Sequence, residues 1–271
     1  MSVTCSVIVP THDRPALLAE AVASVLAQRA ASVECIVVDD ASTPPAAPPR
    51  DRRVTLLRRD EPGGPAAARN LGLAAAGGEV VAFLDDDDVF LPERLQLALE
   101  GLERAPLALC ADAAFEDPAG WRGSRRLEGR IHDVILDATT PPVDVVAVLR
   151  AEALRFDEAY LGSEDIDWWL RMSERVPVAT VERIGVLVRR HEGLRGLAGA
   201  RARIDGSLRL LEMHAGYFAT HPMAHAFRWR RIGLMAVSVG DRSLARRAQL
   251  RSLQARPTLR SAVHLARTLR G

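Results

Sequence analysis

The sequence predicts an α/β fold with a mainly parallel sheet and helices on both faces, followed by a helical C-terminal segment. Short apolar runs of strand length alternate with helically periodic segments through the first two-fifths of the chain. The runs are continuously apolar, which is typical of parallel strands buried on both faces. From about residue 198 onward the pattern is helical and rich in arginine. We therefore expect two domains, residues 1–194 and residues 195–271.

The first hundred residues contain the clearest β–α alternation. Apolar runs predict strands at residues 3–9, 33–38, 54–57 and 80–84. Helical periodicity predicts helices at residues 16–27, 66–76 and 92–104, and the proline-rich stretch 43–49 predicts a loop. The glycine pair 63–64 with Pro65 opens the second helix, and the glycine pair 77–78 closes it.

The rest of the chain is less regular. Residues 107–110 and 143–149 are expected as strands, residues 166–175 as a short amphipathic helix, and residues 178–189 as a further strand. The helical pattern beyond residue 198 is broken at Pro222, Gly240 and Pro257.

Composition excludes several classes of protein. The chain has 271 residues, of which 48% are hydrophobic and 26% charged, so it is expected to fold around a core. No apolar run approaches the roughly 18 residues of a membrane-spanning helix, and no signal peptide is visible. Cys5, Cys35 and Cys110 lie in apolar runs without a CxxC motif, which favours reduced, buried thiols and a cytoplasmic protein over a disulfide framework or a zinc module.

Charge is strongly segregated along the chain. Residues 1–194 carry 21 arginines against 32 acidic residues, a net charge of −11, and residues 195–271 carry 15 arginines against 3 acidic residues, a net charge of +12. The basic segment has no nucleic-acid motif and few aromatic residues, so we expect no nucleic-acid partner. Attraction to an anionic membrane surface or a phosphorylated lipid carrier, and packing onto the acidic body or in a homodimer, both remain open.

Polar residues follow three of the predicted strands where each strand ends. These are Pro10 and Thr11, then Asp39 and Asp40, then the four aspartates 85–88. Ligands bind beyond the carboxyl ends of strands in such sheets, so we expect one site at this edge.

The four aspartates are the strongest chemical signal. Like charges at neighbouring positions repel, and a divalent cation with a preference for oxygen ligands, Mg²⁺ or Mn²⁺, removes that penalty. An acidic turn that caps the following helix is the alternative.

Weaker candidates surround this cluster. Arg69, with Asn70 beside it near the start of a helix, suits a diphosphate, although a Gly-Pro turn before a packing helix explains the segment equally well. One carboxylate of Asp39 and Asp40 could accept from a base or ribose, or Asp39 could close an Asx turn before Ser42.

A second acidic pair lies far along the chain. Asp165 could act as a general base, with Glu164 aligning it or an acceptor hydroxyl, or the pair could belong to a helix cap with Ser163. His191 follows a strand and is a weak candidate metal ligand.

Several segments together resemble family 2 glycosyltransferases, in the order and at the spacings of that family. They are SVIVPTHDRPALLAEAVASVLAQ, CIVVDDAST, GGPAAARNLGLAAAGGEVVAFLDDDD, RFDEAYLGSEDIDWWLRM and RRHEG. The resemblance covers about residues 2–193. It implies a GT-A fold, a nucleoside-diphosphate sugar as donor, a divalent metal, and inversion at the anomeric carbon.

The resemblance also assigns roles by position. Groups that bind the donor nucleotide would be Pro10, Thr11, Arg14, Asp39, Asp40, Arg69, Asp85 and Asp86. Asp87 and Asp85, completed by His191, would bind the metal, with the register among the four aspartates open by one residue. Asp165 would be the catalytic base, assisted by Glu164.

The expected function is therefore transfer of a sugar from a nucleoside-diphosphate sugar, with UDP favoured, to an acceptor hydroxyl. The acceptor would be a glycan, a lipid-linked saccharide or a small molecule. The protein is expected in the cytoplasm, where it could also bind peripherally to the inner face of the membrane. Two rival functions are a sugar-phosphate nucleotidyltransferase, which would release pyrophosphate, and a non-catalytic protein that binds nucleotide sugars or membranes.

Overall fold

A computed structural model describes residues 3–29, 32–122, 126–160, 162–189 and 197–257 of the chain. The chain divides into two compact units. The first comprises Met1–Ile131, Pro141–Glu158 and Arg171–Arg190, and the second comprises His132–Thr140, Ala159–Leu170 and His191–Gly271. The predicted domain boundary at residue 194 stays a prediction.

The first unit is built on a mixed sheet with nine strands in its described residues. In chain order these are β1 (Thr4–Thr11), β2 (Ser32–Asp39), β3 (Val54–Arg58), β4 (Val80–Phe83), β5 (Val89–Phe90), β6 (Leu107–Ala114), β7 (Asp117–Arg122), β8 (Val146–Leu149) and β9 (Val178–Val188). The order across the sheet is β3-β2-β1-β4-β8-β6-β9-β5, and β7 pairs with β6.

One half of the sheet is parallel and confirms the predicted β–α units. Strands β1, β2, β3 and β4 are mutually parallel, and the helices between and after them are α1 (Pro15–Leu26), α2 (Gly64–Ala75) and α3 (Arg94–Leu102). Thr11 is in register with Asp39, and Asp39 with Arg58. The carboxyl ends of three strands therefore meet at one edge.

The other half of the sheet is mixed. Strand β8 runs antiparallel to both β4 and β6, whereas β6 and β9 are parallel. The predicted strand over 143–149 begins as a short 3-10 helix, Val143–Val145, and continues as β8. Because β8 is antiparallel to β4, the residues that precede β8 lie at the same edge as the residues that follow β4.

Close contact between α2 and β1 sets the position of that helix. A Cβ atom at Gly72 would lie 2.4 Å from Cγ2 of Ile8, whose side chain is fully buried. Only glycine allows this approach without displacement. The contact fixes the helix that carries Arg69 and Asn70, both of which are buried.

The predicted environment of the cysteines is confirmed, since Cys5, Cys35 and Cys110 are free and buried. Burial raises the pKa of the Cys5 thiol to about 11 and that of the Cys35 thiol to about 12. These thiols therefore stay protonated at neutral pH.

The second unit is largely helical. It contains the start of α4 (Glu164–Arg175), then α5 (Leu197–Met213), α6 (Ala215–Thr220), α7 (Pro222–Ser238) and α8 (Arg242–Ala255). Helix α7 begins at Pro222 and α8 ends before Pro257, as predicted. The Asp241 carboxylate caps α8 by accepting from the Leu244 N–H at 2.8 Å. In the described part of the chain, no helix is long and apolar enough to span a bilayer.

Candidate active site

The Asp40 carboxylate joins the end of β2 to the start of α2. It accepts hydrogen bonds from the backbone N–H of Gly63 at 3.0 Å and of Gly64 at 2.7 Å, and it lies 2.8 Å from Nε of Arg59. Gly64 has φ +77°, a backbone conformation that favours glycine. The glycine pair thus lets the turn present two backbone donors to one carboxylate.

Asp39 is fully buried beside it and holds the loop after β2. Its carboxylate accepts from the backbone N–H groups of Ser42 at 2.8 Å and Ala46 at 3.0 Å and pairs with Arg58. Burial raises the pKa of this carboxyl, but the hydrogen bonds from Ser42, Ala46 and Arg58 outweigh it, and the net pKa is below its ordinary value. Asp39 therefore stays ionised, with both oxygens engaged within the fold.

The end of β1 meets the aspartate cluster through Thr11 and Arg14. The Thr11 hydroxyl donates to Asp86 at 2.6 Å, and Nη1 of Arg14 lies 3.1 Å from Asp86 and 2.7 Å from Asp87. Burial raises the pKa of Asp86, although Thr11 and Arg14 oppose this shift. Pro10, also predicted at this edge, is buried at the end of β1.

Arg69 reaches the first aspartate from α2. Nη2 of Arg69 donates to Asp85 at 2.5 Å, and its guanidinium lies 5.4 Å from the centre of the Phe156 ring. The next residue, Asn70, donates to Phe156 O at 2.9 Å and accepts from Phe156 N at 2.8 Å. These paired hydrogen bonds hold the Arg69 side chain, which is only 4% exposed, against the cluster.

The fourth aspartate is buried and bonds to the backbone of Arg189 and to a second buried acid. Asp88 accepts from the Arg189 N–H at 2.8 Å and shares a hydrogen bond with the side chain of Asp144, which in turn accepts from the Asp85 N–H at 2.6 Å. Burial raises the pKa of Asp88 to about 8, and the charges of Asp85 and Asp87 add to the shift. Burial also raises the pKa of Asp144, which is fully enclosed. Asp88 and Asp144 thus hold the turn of the four aspartates through hydrogen bonds on its buried side.

Three residues of this site were not predicted from the sequence. Arg58 is the last residue of β3 and Arg59 follows it, just as Asp39 is the last residue of β2 and Asp40 follows it. The rule that ligands bind beyond the carboxyl ends of parallel strands would therefore have identified both arginines. Asp144 precedes β8 and reaches the edge only because β8 is antiparallel, which an apolar run does not reveal.

The outer carboxylates suit a divalent cation. Side-chain exposure is 39% for Asp85 and 16% for Asp87, so both can offer hard oxygen ligands to the outside. Within the described residues no three acidic, histidine or cysteine side chains converge on one point. Mg²⁺ sites often use one or two carboxylates together with phosphate oxygens of the substrate, and this donor set fits that type.

The predicted base lies in the second unit. Glu164 is buried and Asp165 is half-buried at the start of α4, and the buried Asp167 accepts a hydrogen bond from, or donates one to, His214 Nε2 at 2.8 Å. Trp168 and Trp169 are fully buried and pack edge to face, with ring centres 5.5 Å apart. Both side chains belong to the hydrophobic core. His191 lies outside the described residues.

The structure thus brings together most of the predicted site at one edge of the first unit. The group comprises Pro10, Thr11, Arg14, Asp39, Asp40, Arg69, Asp85, Asp86 and Asp87. A sheet that ends in this set of acidic and basic groups, followed by a helical region, is the GT-A fold of glycosyltransferases that use nucleotide sugars.

Comparison with known proteins agrees with this class. Residues 6–156 match Glycosyl transferase family 2, and the chain belongs to that family. It is therefore a glycosyltransferase. No curated protein sequence matches the chain.

Solved structures show the same fold at low sequence identity. S. aureus TarS 1-349 is 17% identical with a TM-score of 0.64, over 97% of this chain and 83% of that chain. Its complex with UDP-GlcNAc is 18% identical with a TM-score of 0.64, over 97% and 84%. The mannosyltransferase PcManGT from Pyrobaculum calidifontis, in complex with GDP-Man and Mn²⁺, is 19% identical with a TM-score of 0.59, over 100% and 80%.

Proposed function

We propose that this chain is an inverting glycosyltransferase that moves a sugar from a nucleoside-diphosphate sugar to an acceptor hydroxyl. The observation that carries the proposal is the aspartate cluster at the sheet edge, flanked by Arg14 and Arg69. UDP is the favoured nucleotide, since the TarS structures contain UDP-GlcNAc and UDP, although PcManGT contains GDP-Man. The acceptor would be a glycan, a lipid-linked saccharide or a small molecule.

The nucleoside would bind where β1 and β2 end. Pro10 and Thr11 end β1, and Asp40 is held against the start of α2 by Gly63 and Gly64. Asp85 would face the ribose side, and Asp86 would also belong to the nucleotide site. Asp39 would support the nucleoside site indirectly, because its carboxylate holds the loop from Ser42 to Ala46.

The diphosphate would lie between the two arginines. Arg69 is preorganised by Asp85 and the Phe156 ring, so little side-chain entropy is lost when it contacts an anion. Asp87 and Asp85 would hold Mn²⁺ or Mg²⁺, with His191 as a further ligand. When bound, such a metal offsets the negative charge of a leaving diphosphate.

Asp165 would supply the base. It would take the proton of the acceptor hydroxyl as that oxygen attacks the anomeric carbon from the face opposite the diphosphate, and Glu164 would align it. The C–O bond to the diphosphate breaks as the new C–O bond forms, which inverts the anomeric centre.

The donor site is tested by calorimetry with UDP, GDP, dTDP and CDP, each with Mn²⁺, with Mg²⁺ and with a chelator. We expect one nucleoside diphosphate to bind selectively and only with metal. D87A should lose the metal-dependent part of this binding, whereas D88N should keep it because Asp88 points inward to Arg189 and Asp144. Equal metal affinity in D87A and the wild type would remove Asp87 from the metal site.

The base is tested by replacing Asp165. D165N should bind the selected nucleotide normally but lose turnover by a factor of about 10²–10⁴, the usual contribution of a general base. D205N removes an exposed carboxylate of α5 and is the matched control, expected to keep full activity. Sustained transfer by D165N would place the base elsewhere, and release of pyrophosphate rather than nucleoside diphosphate would favour a nucleotidyltransferase.

We also infer that α8 binds an anionic membrane surface, which would place the enzyme peripherally at the inner face of the membrane. The helix contains no acidic residue, and its exposed side chains include four arginines and a leucine, namely Arg242, Arg246, Arg247, Leu250 and Arg251. Arginines around an exposed leucine suit anionic headgroups with a shallow apolar contact.

Vesicle flotation tests this second role. The full chain should bind vesicles that contain phosphatidylserine at low salt and should not bind vesicles of phosphatidylcholine alone. If neither vesicle binds at low salt, the basic segment serves packing within the protein or in a homodimer instead.

A further inference from the structure

Arg14 links two of the clustered aspartates through a single nitrogen atom. Its Nη1 lies 2.7 Å from Oδ2 of Asp87 and 3.1 Å from Oδ1 of Asp86. The Asp87 side chain is 16% exposed and that of Asp86 only 6%, so both contacts are largely shielded from water. An arginine side chain stays protonated in proteins. A full positive charge is therefore held on Asp87, the carboxylate on which the proposed metal site depends.

The backbone of Arg14 is fixed, whereas its side chain is not enclosed. The preceding residue, Asp13, donates from its N–H to the Ser42 hydroxyl at 3.0 Å and accepts at its carboxylate from the Thr43 N–H at 2.7 Å. The Arg14 carbonyl accepts from the Leu18 N–H at 3.0 Å in the first turn of α1. The Arg14 side chain itself is 45% exposed, which leaves other staggered rotamers open to it. The guanidinium can therefore leave the aspartates without movement of β1 or α1.

Arg69, the other arginine of the cluster, differs from Arg14 in this respect. Its side chain is only 4% exposed, and its guanidinium lies on the Phe156 ring while it donates to Asp85. Asp85 is 39% exposed and keeps accessible surface while it is paired. Arg69 is thus a fixed part of the site, whereas Arg14 is a cation that can be exchanged.

The Arg14 guanidinium competes with any divalent cation for Asp87. Two positive charges held on one carboxylate repel each other, so each weakens the binding of the other. A diphosphate offers the guanidinium a second partner, because the planar fork of arginine matches phosphate oxygens. Phosphate oxygens of a substrate are also common ligands of Mg²⁺ in proteins. A bound diphosphate would therefore draw the competitor away and add ligands at the same time.

We propose that Arg14 is an exchangeable cation, which occupies Asp87 until a donor binds and then moves to the diphosphate, so that metal and nucleotide bind cooperatively. The inference rests on the proposed donor and metal site. Cooperativity of this kind is reciprocal, since the nucleotide raises the affinity for metal by the same factor by which the metal raises the affinity for nucleotide. Arg14 forms and breaks only hydrogen bonds and ion pairs in this role.

The affinity of the nucleotide-free protein for Mn²⁺ tests the exchange, with free Mn²⁺ measured by electron paramagnetic resonance. R14M should bind Mn²⁺ about tenfold more tightly than the wild type, the factor that corresponds to the loss of one hydrogen bond between charged groups. A merely structural role for Arg14 predicts an unchanged or weaker affinity, so a gain is diagnostic. R14K keeps the charge and should return most of the way to the wild-type affinity.

R183M is the matched control. Arg183 is an exposed arginine of β9 that pairs with Glu100 at 3.1 Å, and its replacement changes the net charge of the protein by the same amount as R14M. R183M should bind Mn²⁺ with the wild-type affinity, because general attraction of a cation by a less positive protein is not what the proposal invokes.

The same titration in the presence of UDP, corrected for Mn²⁺ bound to free UDP, measures the cooperativity. The factor by which UDP tightens Mn²⁺ binding should be about tenfold smaller in R14M than in the wild type, since the variant already binds Mn²⁺ tightly without nucleotide. UDP itself should bind R14M more weakly at saturating Mn²⁺, because one charge-assisted contact to the diphosphate is lost.

The outcomes separate this proposal from the proposed function. A gain in R14M that disappears in R14M/D87A supports the exchange at Asp87. Equal or weaker Mn²⁺ affinity in R14M, or no detectable binding in both R14M and the wild type, overturns it, as does an equal gain in R183M. R14Q takes the place of R14M in each comparison if R14M does not fold. Equal Mn²⁺ affinity of D87A and the wild type with UDP present is a failure of the proposed metal site itself.

Discussion

Four consecutive aspartates have four different environments, and this difference defines the site at the residue scale. Asp85 pairs with Arg69, Asp86 accepts from Thr11, and Asp87 faces Arg14 with part of its carboxylate exposed. Asp88 turns inward to the backbone of Arg189. Arg69 and Arg14 offset the charges of the first three aspartates, and the raised pKa of Asp88 lowers the charge of the fourth. The repulsion expected among four like charges is therefore reduced, and the side chains of Asp85 and Asp87 remain accessible to solvent.

The Thr11 hydroxyl contributes measurably to this arrangement. It donates to Asp86 at 2.6 Å in a buried position, and a hydrogen bond to a charged group contributes about 1.5–3 kcal/mol. T11V removes the hydroxyl at similar volume and should lower the free energy of unfolding by that amount. T11S keeps the donor and should cost less. Urea unfolding at neutral pH measures both, and equal losses in T11V and T11S would show that packing rather than the hydrogen bond matters here.

At the element scale, α2 depends on its close approach to β1. G72A would place a methyl group 2.4 Å from Cγ2 of Ile8, and overpacking of this kind costs about 1–3 kcal/mol. The shift should also move Arg69 and Asn70, so nucleotide binding should weaken together with stability. Thermal unfolding and calorimetry test both effects. G216A on α6, where an added Cβ meets nothing within 4 Å, is the control and should be neutral or slightly stabilising.

Glu34 connects β2 with β1 and with the turn that precedes β4. Its carboxylate accepts from the Ser6 hydroxyl and from the N–H groups of Gly77 at 2.7 Å and Gly78 at 3.0 Å. Burial raises its pKa, but these hydrogen bonds outweigh burial and bring the pKa below its ordinary value of 4.5. Since the folded state holds the ionised form more strongly than the unfolded state does, this contribution is complete above pH 4.5 and is lost as pH falls through the lowered pKa.

Unfolding of E34Q as a function of pH tests this assignment. Near pH 7 the variant should be less stable than the wild type by about 1–3 kcal/mol, and the difference should close as pH falls below 4.5. E103Q alters an exposed glutamate at the end of α3 and should follow the wild type throughout. If E34Q remains less stable than the wild type by the same amount at low pH, the hydrogen bonds do not depend on the ionised form of Glu34, and the assignment is wrong.

The secondary-structure elements also explain which parts of the site could be predicted from the sequence alone. Thr11, Asp39, Asp40 and the aspartates were predicted because parallel strands end at one edge, and apolar runs mark those ends. The two-residue strand β5 is too short to give a periodic signal. Asp144 depends on the direction of β8, and direction is a property of pairing with β4 and β6 rather than of the run itself.

At the scale of the whole molecule, the two ends of the sequence carry opposite charge. The first 194 residues have a net charge of −11, and the last 77 a net charge of +12. The exposed arginines of α8 form a large part of the described basic surface, to which Arg201, Arg231 and Arg256 also contribute. Such a charge distribution attracts anionic surfaces over about one Debye length, roughly 10 Å at 0.1 M salt, and the attraction weakens as salt is added.

Vesicle binding by α8 should therefore depend on both charge number and salt. Each arginine near an anionic surface contributes about 1 kcal/mol, so R246S/R247S should weaken binding to phosphatidylserine vesicles by about 30-fold at low salt. R50S/R52S removes two exposed arginines of the first unit and should have little effect.

Adding salt should weaken wild-type binding more than that of R246S/R247S, because fewer charges remain to be screened in the variant. L250S should instead give a loss that does not change with salt, since Leu250 contributes apolar contact, and equal salt dependence in all four proteins would contradict an electrostatic role for α8.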